Sequence, residues 1–362
     1  MRILLGTNHL QEIAGSELVI QEIAEFFLQA GHEVQICANF LGQPMQGVAE
    51  RTGARTVVAS DEINALDFDL VMVINQIAPV LSYEPSEAMR PRTRFVFLHV
   101  DLNFPLSQPG LVHEPLLADE IWLHSEEARA YFTAEGLPEE KVRLFDNAAP
   151  PRFWRAERDY RPELKHLLVV SNHLPEELGA AITLLREQGI AVTHYGRGGD
   201  HWRRLDPKAL LEADAVVTIG KTVPYCLASR TPVFVYDHFG GPGWLDAENW
   251  ERARWFNYSG RCTRTQLAPD ALAEELVQGY ENGIAFVRDL PDAQRARYRL
   301  RPQLLALLER IEDTQTNEAR LEALSAHRQA MRHEQAMAKA AGMYYRMWCG
   351  AHRTVQRLRE KG

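Results

Sequence analysis

Glycines and cations, two kinds of residue that bind phosphate, follow the predicted strands in the second half of the chain. Gly220, Lys221 and Thr222 end one apolar run and open a predicted helix. Free backbone N–H groups and the positive end of a helix dipole bind anions at such a junction, which here lacks the first glycine of a Walker A loop. The pattern therefore predicts a diphosphate site. The predicted ligand-binding residues of this half are Asn172, His173, Gly196, Arg197, Gly220, Lys221, Thr222, Val223, Asp237, His238, Gly240 and Gly241.

Two of these loops each leave two interpretations open. Gly196 and Arg197 belong to a glycine-rich turn that either offers charge-assisted hydrogen bonds to phosphate or only connects two elements. Asp237 and His238 precede a glycine run that begins at Gly240. They either hydrogen-bond ligand hydroxyl groups or form a tight turn with a buried Asp–His pair. We expect both loops to face the ligand.

The first half of the chain carries a second candidate site, where a predicted strand ends at His99 and Asp101. A histidine and an aspartate two residues apart can face one cleft and assist proton transfer from a hydroxyl group, and the same pattern also occurs for structural reasons alone. Gly15, Ser16 and Glu17 open the first predicted helix, with Ser16 as its N-cap. Because ligands bind at the carboxyl ends of strands in open α/β sheets, we expect these residues to line the site.

Strand-length apolar runs alternate with amphipathic segments, which is typical of βα units around parallel sheets. The predicted strands span residues 2–5, 33–37, 56–59, 70–74, 95–98, 120–123 and 142–145, then 166–170, 191–195, 215–219 and 233–236. A proline-rich segment over residues 146–162 separates the two series, and helices follow residue 269 with breaks near Pro291 and Pro302. We predict an α/β protein with two Rossmann-like, doubly wound domains facing a cleft. The predicted domains are residues 1–150 and 163–290, followed by a helical C-terminal extension over residues 291–362.

Composition and charge limit the classes of function. The chain has 362 residues, 46% of them hydrophobic and 25% charged, which suits a large globular enzyme. A net charge of -9 argues against nucleic acid as a partner. The four cysteines lie far apart without a CxxC pair, so we expect reduced thiols, no disulfide and no metal site. The short apolar start and the apolar runs, each shorter than about 18 residues, predict a cytoplasmic protein.

The basic region of the chain is its last segment, residues 326–362. It holds eight Lys and Arg against two acidic residues, a local charge of +6, around Met343, Tyr344, Tyr345, Met347 and Trp348. Such a helix can lie peripherally on the anionic inner face of a membrane. It can equally pack its aromatic face on the domains or on a second subunit.

Several motifs within residues 1–290 resemble the GT-B glycosyltransferases, and among them the retaining enzymes that build surface polysaccharides and glycolipids. The motifs are Gly6 with Gly15, Ser16 and Glu17, then His99 with Asp101, then the segments 125–128 and 227–233. The chain departs from that group at Val217 and Tyr225, where the resemblance would place two glutamates. The resemblance therefore implies the GT-B fold and a nucleotide-sugar donor without the paired donor-site glutamates.

The resemblance also implies roles for the candidate residues. The loops of the second domain would bind the donor, while His99, Asp101 and Glu17 would be catalytic and Gly15 and Ser16 would lie on the acceptor side. A metal-independent glycosyl transfer in bacterial surface polysaccharide synthesis is implied, with a saccharide or lipid-linked saccharide as acceptor. The resemblance implies no cofactor, since the nucleotide sugar is a substrate and the nucleoside diphosphate is a product.

Three alternatives stay open at this point. A sugar-nucleotide epimerase shares the architecture but needs acidic residues around the donor sugar. A catalytically inactive GT-B-like protein in a polysaccharide-assembly complex would explain why both glutamates are missing. A nicotinamide dehydrogenase needs Gly-x-Gly-x-x-Gly after the first strand, and the run from Gly6 to Gln11 does not provide it.

Overall fold

The first half of the chain folds into a seven-stranded sheet whose strands are all parallel. A computed structural model describes residues 1–74, 77–102 and 108–359. The strands are β1 (Arg2–Leu10), β2 (Glu33–Leu41), β3 (Arg55–Val58), β4 (Leu70–Ile74), β5 (Arg94–His99), β6 (Glu120–Leu123) and β7 (Val142–Leu144). Their order is β3-β2-β1-β4-β5-β6-β7. The helices are α1 (Gly15–Gln29), α2 (Met45–Arg51), α3 (His113–Leu117) and α4 (Glu126–Ala134).

The junction between β1 and α1 differs from the prediction of a polar loop over residues 6–15. β1 continues to Leu10 because it pairs with β2 along its length. α1 begins at Gly15 after Ala14, and the Ser16 hydroxyl donates to Glu17 at 2.7 Å, so Ser16 is not the N-cap. The connection is therefore short, and it holds the start of α1 close to the carboxyl edge of the sheet.

The second half forms a five-stranded sheet in the order β12-β11-β10-β8-β9. Its strands are β8 (His166–Val170), β9 (Ala191–Tyr195), β10 (Ala215–Thr218), β11 (Val233–Asp237) and β12 (Gly240–Trp244). Its helices are α5 (Glu176–Glu187), α6 (Pro207–Glu212), α7 (Thr222–Ser229), α8 (Trp250–Trp255), α9 (Pro269–Gln278) and α10 (Tyr280–Asp289). β12 is an antiparallel edge strand built from the glycine run that the sequence predicts as a loop.

The C-terminal segment is helical and returns to the first sheet. Its helices are α11 (Asp292–Arg295), α12 (Leu300–Glu309), α13 (Asn317–Ala326) and α14 (Arg328–Arg359). Leu300, Leu304 and Leu307 of α12 join the core between α1 and the first sheet, while Leu324 of α13 joins the core on the other face. Pro302 lies in the first turn of α12, where proline is tolerated, and does not break the helix.

Two parallel sheets flanked by helices, with a helical C-terminal segment, confirm the predicted α/β fold class. The division into residues 1–150, 163–290 and 291–362 stays a prediction. The packing of α12 argues that part of the third segment is structurally one unit with the first.

α14 lies along the carboxyl edge of the first sheet, where the loops after the strands emerge. Glu334 of α14 accepts hydrogen bonds from the backbone N–H groups of Leu111 at 2.6 Å and His113 at 2.8 Å, at the start of α3. Burial raises the pKa of Glu334, but the hydrogen bonds from His113 outweigh this and leave that pKa below its ordinary value. Tyr345 packs against Phe40 at the end of β2, with ring centroids 4.9 Å apart. Across the described parts of the chain, no helix has the length and apolarity of a membrane span.

Candidate functional site

A cleft separates the two sheets, and the carboxyl ends of strands from both halves line it. Its volume of about 470 Å³ lies in the range of small-molecule sites. The first half contributes the start of α1 and the residues after β5, and the second half contributes the loops after β8, β9, β10 and β11. The predicted residues in its wall are Gly15, Ser16, Asp101, Asn172, His173, Gly196, Gly220, Lys221, Thr222, Asp237 and His238.

The amino-terminal ends of α1 and α7 face one another across this cleft. A Cβ atom added at Gly15 would lie 3.8 Å from Lys221 Cβ, so the two helices begin within van der Waals reach. Gly220 has a φ of +54°, a left-handed conformation that turns the chain from β10 into α7. Ser16 and Thr222 lie in first turns, where backbone N–H groups lack partners from the preceding turn. Both helix dipoles therefore present their positive ends to one space, which favours a bound anion.

The Lys221 ammonium lies in an ionic cluster between the two halves of the protein. Nζ is 2.7 Å from Glu22 Oε2 on α1, and it donates to the carbonyl of Ala148 at 2.7 Å. Burial lowers the pKa of Lys221, and the Glu22 carboxylate opposes that shift. The Lys221 ammonium is therefore engaged by the protein itself, and its binding of a phosphate stays a prediction.

Glu22 is the centre of this cluster and is 2% exposed. Its Oε1 accepts hydrogen bonds from Tyr225 OH at 2.7 Å, from Arg152 at 2.8 Å and from Arg204 at 3.3 Å. α1 belongs to the first half, whereas Lys221, Tyr225 and Arg204 belong to the second. The cluster therefore ties α1 to α7 and fixes how the two helix starts face one another.

Val217 and Tyr225 occupy the positions where the resemblance would place paired glutamates. Val217 is a buried residue of β10 in the cleft wall, and Tyr225 is a buried residue of α7 whose hydroxyl is bonded to Glu22. Among the described residues that line the cleft, the carboxylates are Asp101 and Asp237. The second-half wall of the cleft thus has an apolar and an aromatic side chain at these two positions.

The loops after β8 and β9 hold the two halves together at the cleft. Asn172 Nδ2 donates to the Ile13 carbonyl at 2.8 Å, and Asn172 Oδ1 accepts from the backbone N–H of Arg197 at 3.1 Å. The Arg197 side chain pairs with Glu12 and lies outside the cleft wall. The Arg197 guanidinium thus bridges to the first half, and its binding of phosphate stays a prediction. His173 is exposed in the wall and stays a candidate for ligand contact.

The Asp237 carboxylate accepts hydrogen bonds from other residues of the second half. Oδ1 accepts from the backbone N–H of Phe239 at 2.7 Å, while Oδ2 accepts from Ser259 Oγ at 2.9 Å and from Gly260 N at 3.0 Å. These contacts match a tight turn without the buried Asp–His pair, and contact of Asp237 with a ligand stays a prediction. The His238 side chain is exposed and lines the cleft, so its contact with a ligand stays a prediction.

Four further residues predicted on the donor side serve packing. A Cβ atom at Gly196, Gly240 or Gly241 would lie 1.8, 1.9 or 2.0 Å from a backbone carbonyl oxygen, so glycine is required at each position. Gly240 and Gly241 belong to β12 and lie outside the cleft wall. Val223 is fully buried in the core of the second half. The structure places Gly240, Gly241 and Val223 outside the cleft wall, and their contact with a donor stays a prediction.

The side chains of His99 and Asp101 do not face the same space. His99 is 1% exposed, and its Nε2 lies 2.8 Å from Glu114 Oε1 on α3. Its ring also packs near Phe132, with centroids 5.1 Å apart. Asp101 is exposed and lines the cleft. The structure does not bring the predicted catalytic pair together, since His99 packs against α3 and Asp101 lies in the cleft wall, and a catalytic role for either residue stays a prediction.

Glu17 lies behind the cleft wall, in the first turn of α1. It is 4% exposed, and its Oε2 accepts the Ser16 hydroxyl at 2.7 Å. Burial raises the pKa of Glu17 to about 7, and the hydrogen bond from Ser16 opposes that rise. Glu17 thus supports the helix start, whereas Ser16 and Gly15 line the cleft, and its catalytic role stays a prediction.

Trp202 and Arg203 line the cleft and do not appear among the predicted residues. Trp202 is 47% exposed, and Arg203 donates to Tyr195 OH at 2.8 Å with its guanidinium 5.5 Å from that ring centroid. A tryptophan beside two arginines in the polar loop after β9 was the sequence signal for this pair. An exposed aromatic next to a cation can bind a flat heterocycle and its attached phosphate.

Two Rossmann-like sheets that face a cleft with a helix start on either side define the GT-B fold, and the chain has that fold. Solved structures agree with this assignment. HepE of Anabaena, in complex with UDP and glucose, has a TM-score of 0.54 at 12% identity, covering 86% of this chain and 100% of its own. HepE with UDP-glucose has a TM-score of 0.51 at 14% identity, covering 90% and 100%.

A glycosyltransferase of Rickettsia africae has a TM-score of 0.50 at 12% identity, covering 86% of this chain and 98% of its own. No family model matches the chain. No curated protein sequence matches it either. The predicted GT-B fold is therefore confirmed by structure, at sequence identities that establish the fold alone.

The first prediction concerns the cluster that joins the two halves. Glu22→Gln removes the carboxylate that neutralises Lys221, so it should cost about 3 kcal/mol, the usual effect of breaking a buried ion pair. We expect a lower Tm and, in small-angle scattering, a larger radius of gyration as α1 separates from α7.

Exposed Glu187→Gln on α5 is the matched control and should change neither quantity. The double variant Glu22→Gln with Lys221→Met should lose less stability than the sum of the losses in the two single variants, because it leaves no unpaired ammonium. Wild-type Tm and scattering for Glu22→Gln would contradict the role given to the cluster.

The second prediction concerns the buried Glu17 carboxyl, with a pKa of about 7 against an ordinary 4.5. Between these values the folded protein keeps a proton that the unfolded chain has lost, so this group makes stability fall as pH rises through the window. Glu17→Gln removes that dependence. The Tm of Glu17→Gln minus the Tm of the wild type should increase from pH 5 to pH 8. The same difference for Glu187→Gln should not change with pH. A Tm difference that does not change with pH would refute the assignment.

Proposed function

We propose that this protein transfers a glycosyl group from a nucleotide sugar to a saccharide or glycolipid acceptor. The observation that carries the proposal is the convergence of two helix amino termini, at Gly15 and Thr222, on one cleft between Rossmann-like domains. A nucleoside diphosphate is the anion that suits this geometry, because its two phosphates can be shared by two positive helix ends.

The similar structures support a nucleotide-sugar donor. HepE is described in complex with UDP, with UDP and glucose, and with UDP-glucose. In this chain the neighbouring aromatic and cation, Trp202 and Arg203, would receive the nucleobase and the ribose or phosphate. His173 and His238, both exposed in the wall, would contact the rest of the donor.

Departure of the diphosphate is the step for which this cleft is built. The C–O bond to the anomeric carbon breaks, and negative charge develops on the leaving phosphate oxygen. Two fixed helix dipoles stabilise that charge without reorganisation, which is electrostatic catalysis and needs neither a metal nor a cofactor. The Lys221 ammonium acts by holding α7 against α1, so its effect on the reaction is through position.

Asp101 is the residue we assign to the acceptor. It is the exposed carboxylate in the described part of the cleft wall and comes from the first domain, opposite the donor loops. A carboxylate at that place can accept the proton of the attacking hydroxyl group. The reaction would take place in the cytoplasm as a step in the synthesis of a surface polysaccharide.

A second candidate is a GT-B-like protein that binds a nucleotide but has no activity and serves in an assembly complex. Val217 and Tyr225 favour it, because neither position supplies a carboxylate and the Tyr225 hydroxyl is taken by Glu22. Nucleotide binding alone does not separate the two candidates, whereas turnover does.

The test is calorimetry with UDP, GDP, CMP, ADP and dTDP on the full-length protein. We expect one nucleotide to bind selectively, and Trp202→Ala to weaken it by about five-fold or more because base stacking is worth about 1–3 kcal/mol. Trp255→Ala, which removes a comparably exposed tryptophan of α8 outside the cleft, is the control and should bind as the wild type does.

Turnover is then followed with the sugar conjugates of the bound nucleotide. Release of nucleoside diphosphate that Asp101→Asn abolishes would support the transferase. Binding without release under any acceptor would favour the assembly protein, and no binding of any nucleotide would overturn both candidates.

A further inference from the structure

Two short turns near the cleft have a left-handed backbone conformation that residues other than glycine rarely adopt. Each turn holds two such residues in succession, Asp146 with Asn147 after β7 and Asn257 with Tyr258 after α8, with φ between +46° and +55°. Asparagine and aspartate tolerate this conformation, whereas for tyrosine it is an outlier. Backbone strain of this kind persists only where surrounding contacts fix it, and it clusters at binding and active sites.

The two turns meet across the boundary between the two halves of the chain. Asn147 Nδ2 donates to Asn257 Oδ1 at 2.6 Å, and the Arg254 guanidinium lies 3.0 Å from Asp146 Oδ1. Both asparagines line the cleft. Asn147 is buried there, and Asn257 is partly exposed. A buried residue of the first half therefore holds one end of an amide that belongs to the second half and borders the cleft.

The hydrogen bond from Asn147 sets which end of the Asn257 amide faces the cleft. The carbonyl oxygen of that amide is the acceptor, so Oδ1 points to Asn147 and the Nδ2 group points away from it. A Cβ atom added at Gly220 would lie 3.8 Å from Asn257 Nδ2, so the amide N–H groups lie beside the turn from β10 into α7. In the part of the chain that the structure describes, this Nδ2 group donates no hydrogen bond.

Asn257 brings a neutral hydrogen-bond donor to a turn whose lysine is engaged elsewhere. Lys221 Nζ lies 2.7 Å from Glu22 Oε2 and donates to the carbonyl of Ala148 at 2.7 Å. A phosphate beside Gly220 would meet backbone N–H groups of α7 and the Asn257 amide. Hydrogen bonds from neutral donors to a charged acceptor are stronger than those between neutral groups, so an amide at this place can contribute to anion binding without a cation.

We propose that Asn257 binds the diphosphate beside Gly220 through its amide N–H groups, and that Asn147 is a positioning residue that orients this amide. The inference rests on the proposed function, because a nucleotide must occupy the cleft. A residue of the first half then sets the direction of a hydrogen-bond donor that the second half supplies. The affinity for the diphosphate therefore depends on the contact between the two halves.

Calorimetry with UDP, GDP, ADP and dTDP, each compared with its own nucleoside, tests this contact on the full-length protein. Asn257→Gly removes the amide and keeps a residue that adopts positive φ without strain. We expect its affinity for the bound diphosphate to fall about ten-fold, and its affinity for the uncharged nucleoside to stay at the wild-type value. Asn257→Asp keeps the acceptor for Asn147 but places a negative charge beside the phosphates, so it should lose more.

A double-mutant cycle tests the positioning role of Asn147. Asn147→Gly leaves the Asn257 amide free to rotate, so the affinity for the diphosphate should fall about three-fold. The double variant Asn147→Gly with Asn257→Gly should bind no more weakly than Asn257→Gly alone, because Asn147 acts only through that amide. Asn282→Asp, on the exposed surface of α10 and outside the cleft wall, is the matched control and should bind as the wild type does.

The possible results separate this inference from the proposed function. A wild-type Tm for Asn257→Asp would show that a loss of affinity is local. Wild-type diphosphate affinity in Asn257→Gly, or an equal loss for diphosphate and nucleoside, would overturn the inference and leave the proposed function standing. Additive losses in the double variant would overturn the role of Asn147. A wild type that binds none of the four diphosphates would reject the inference, and one that does not bind CMP either would reject the proposed function as well.

Discussion

The ion pair between Glu22 and Lys221 is the interaction on which the arrangement of this protein depends. Lys221 Nζ and Glu22 Oε2 lie 2.7 Å apart, and both side chains are buried. The pair joins α1 of the first domain to α7 of the second. Charges so deeply buried are stable only when they are paired, so the contact holds the two helix starts against one another. The anion-binding character of the cleft follows from that relation: two positive dipole ends share one space while the nearby ammonium is neutralised.

In the motif over residues 220–222, the backbone and the lysine side chain have different roles. Gly220, Lys221 and Thr222 together predict a phosphate site, and the structure assigns the backbone of this junction to the cleft and the lysine side chain to the domain interface. The proposed glycosyl transfer would rely on oriented peptide groups for charge stabilisation. Those groups keep their direction only while the interface remains intact, which couples domain contact to chemistry.

The sheets and α7 were predictable because apolar runs and helix boundaries are local signals. The partners of single side chains were not, since His99 meets Glu114, Asp237 meets Ser259, and Lys221 meets Glu22 across long stretches of sequence. The edge strand β12 was missed because its glycines are needed where the backbone packs closely against neighbouring carbonyl groups. Such a close contact cannot be seen in the sequence. The basic, aromatic character of the tail was visible in sequence, whereas the side of α14 that stays uncovered is decided by tertiary contacts.

A crystal structure of the protein with the nucleoside diphosphate that binds it would show how the cleft holds the anion. We expect the diphosphate between the amino termini of α1 and α7, with phosphate oxygens accepting from backbone N–H groups near Ser16 and Thr222. We also expect Lys221 to keep its contact with Glu22. A nucleotide bound elsewhere, or a Lys221 side chain that leaves Glu22 to bind the phosphate, would contradict these expectations.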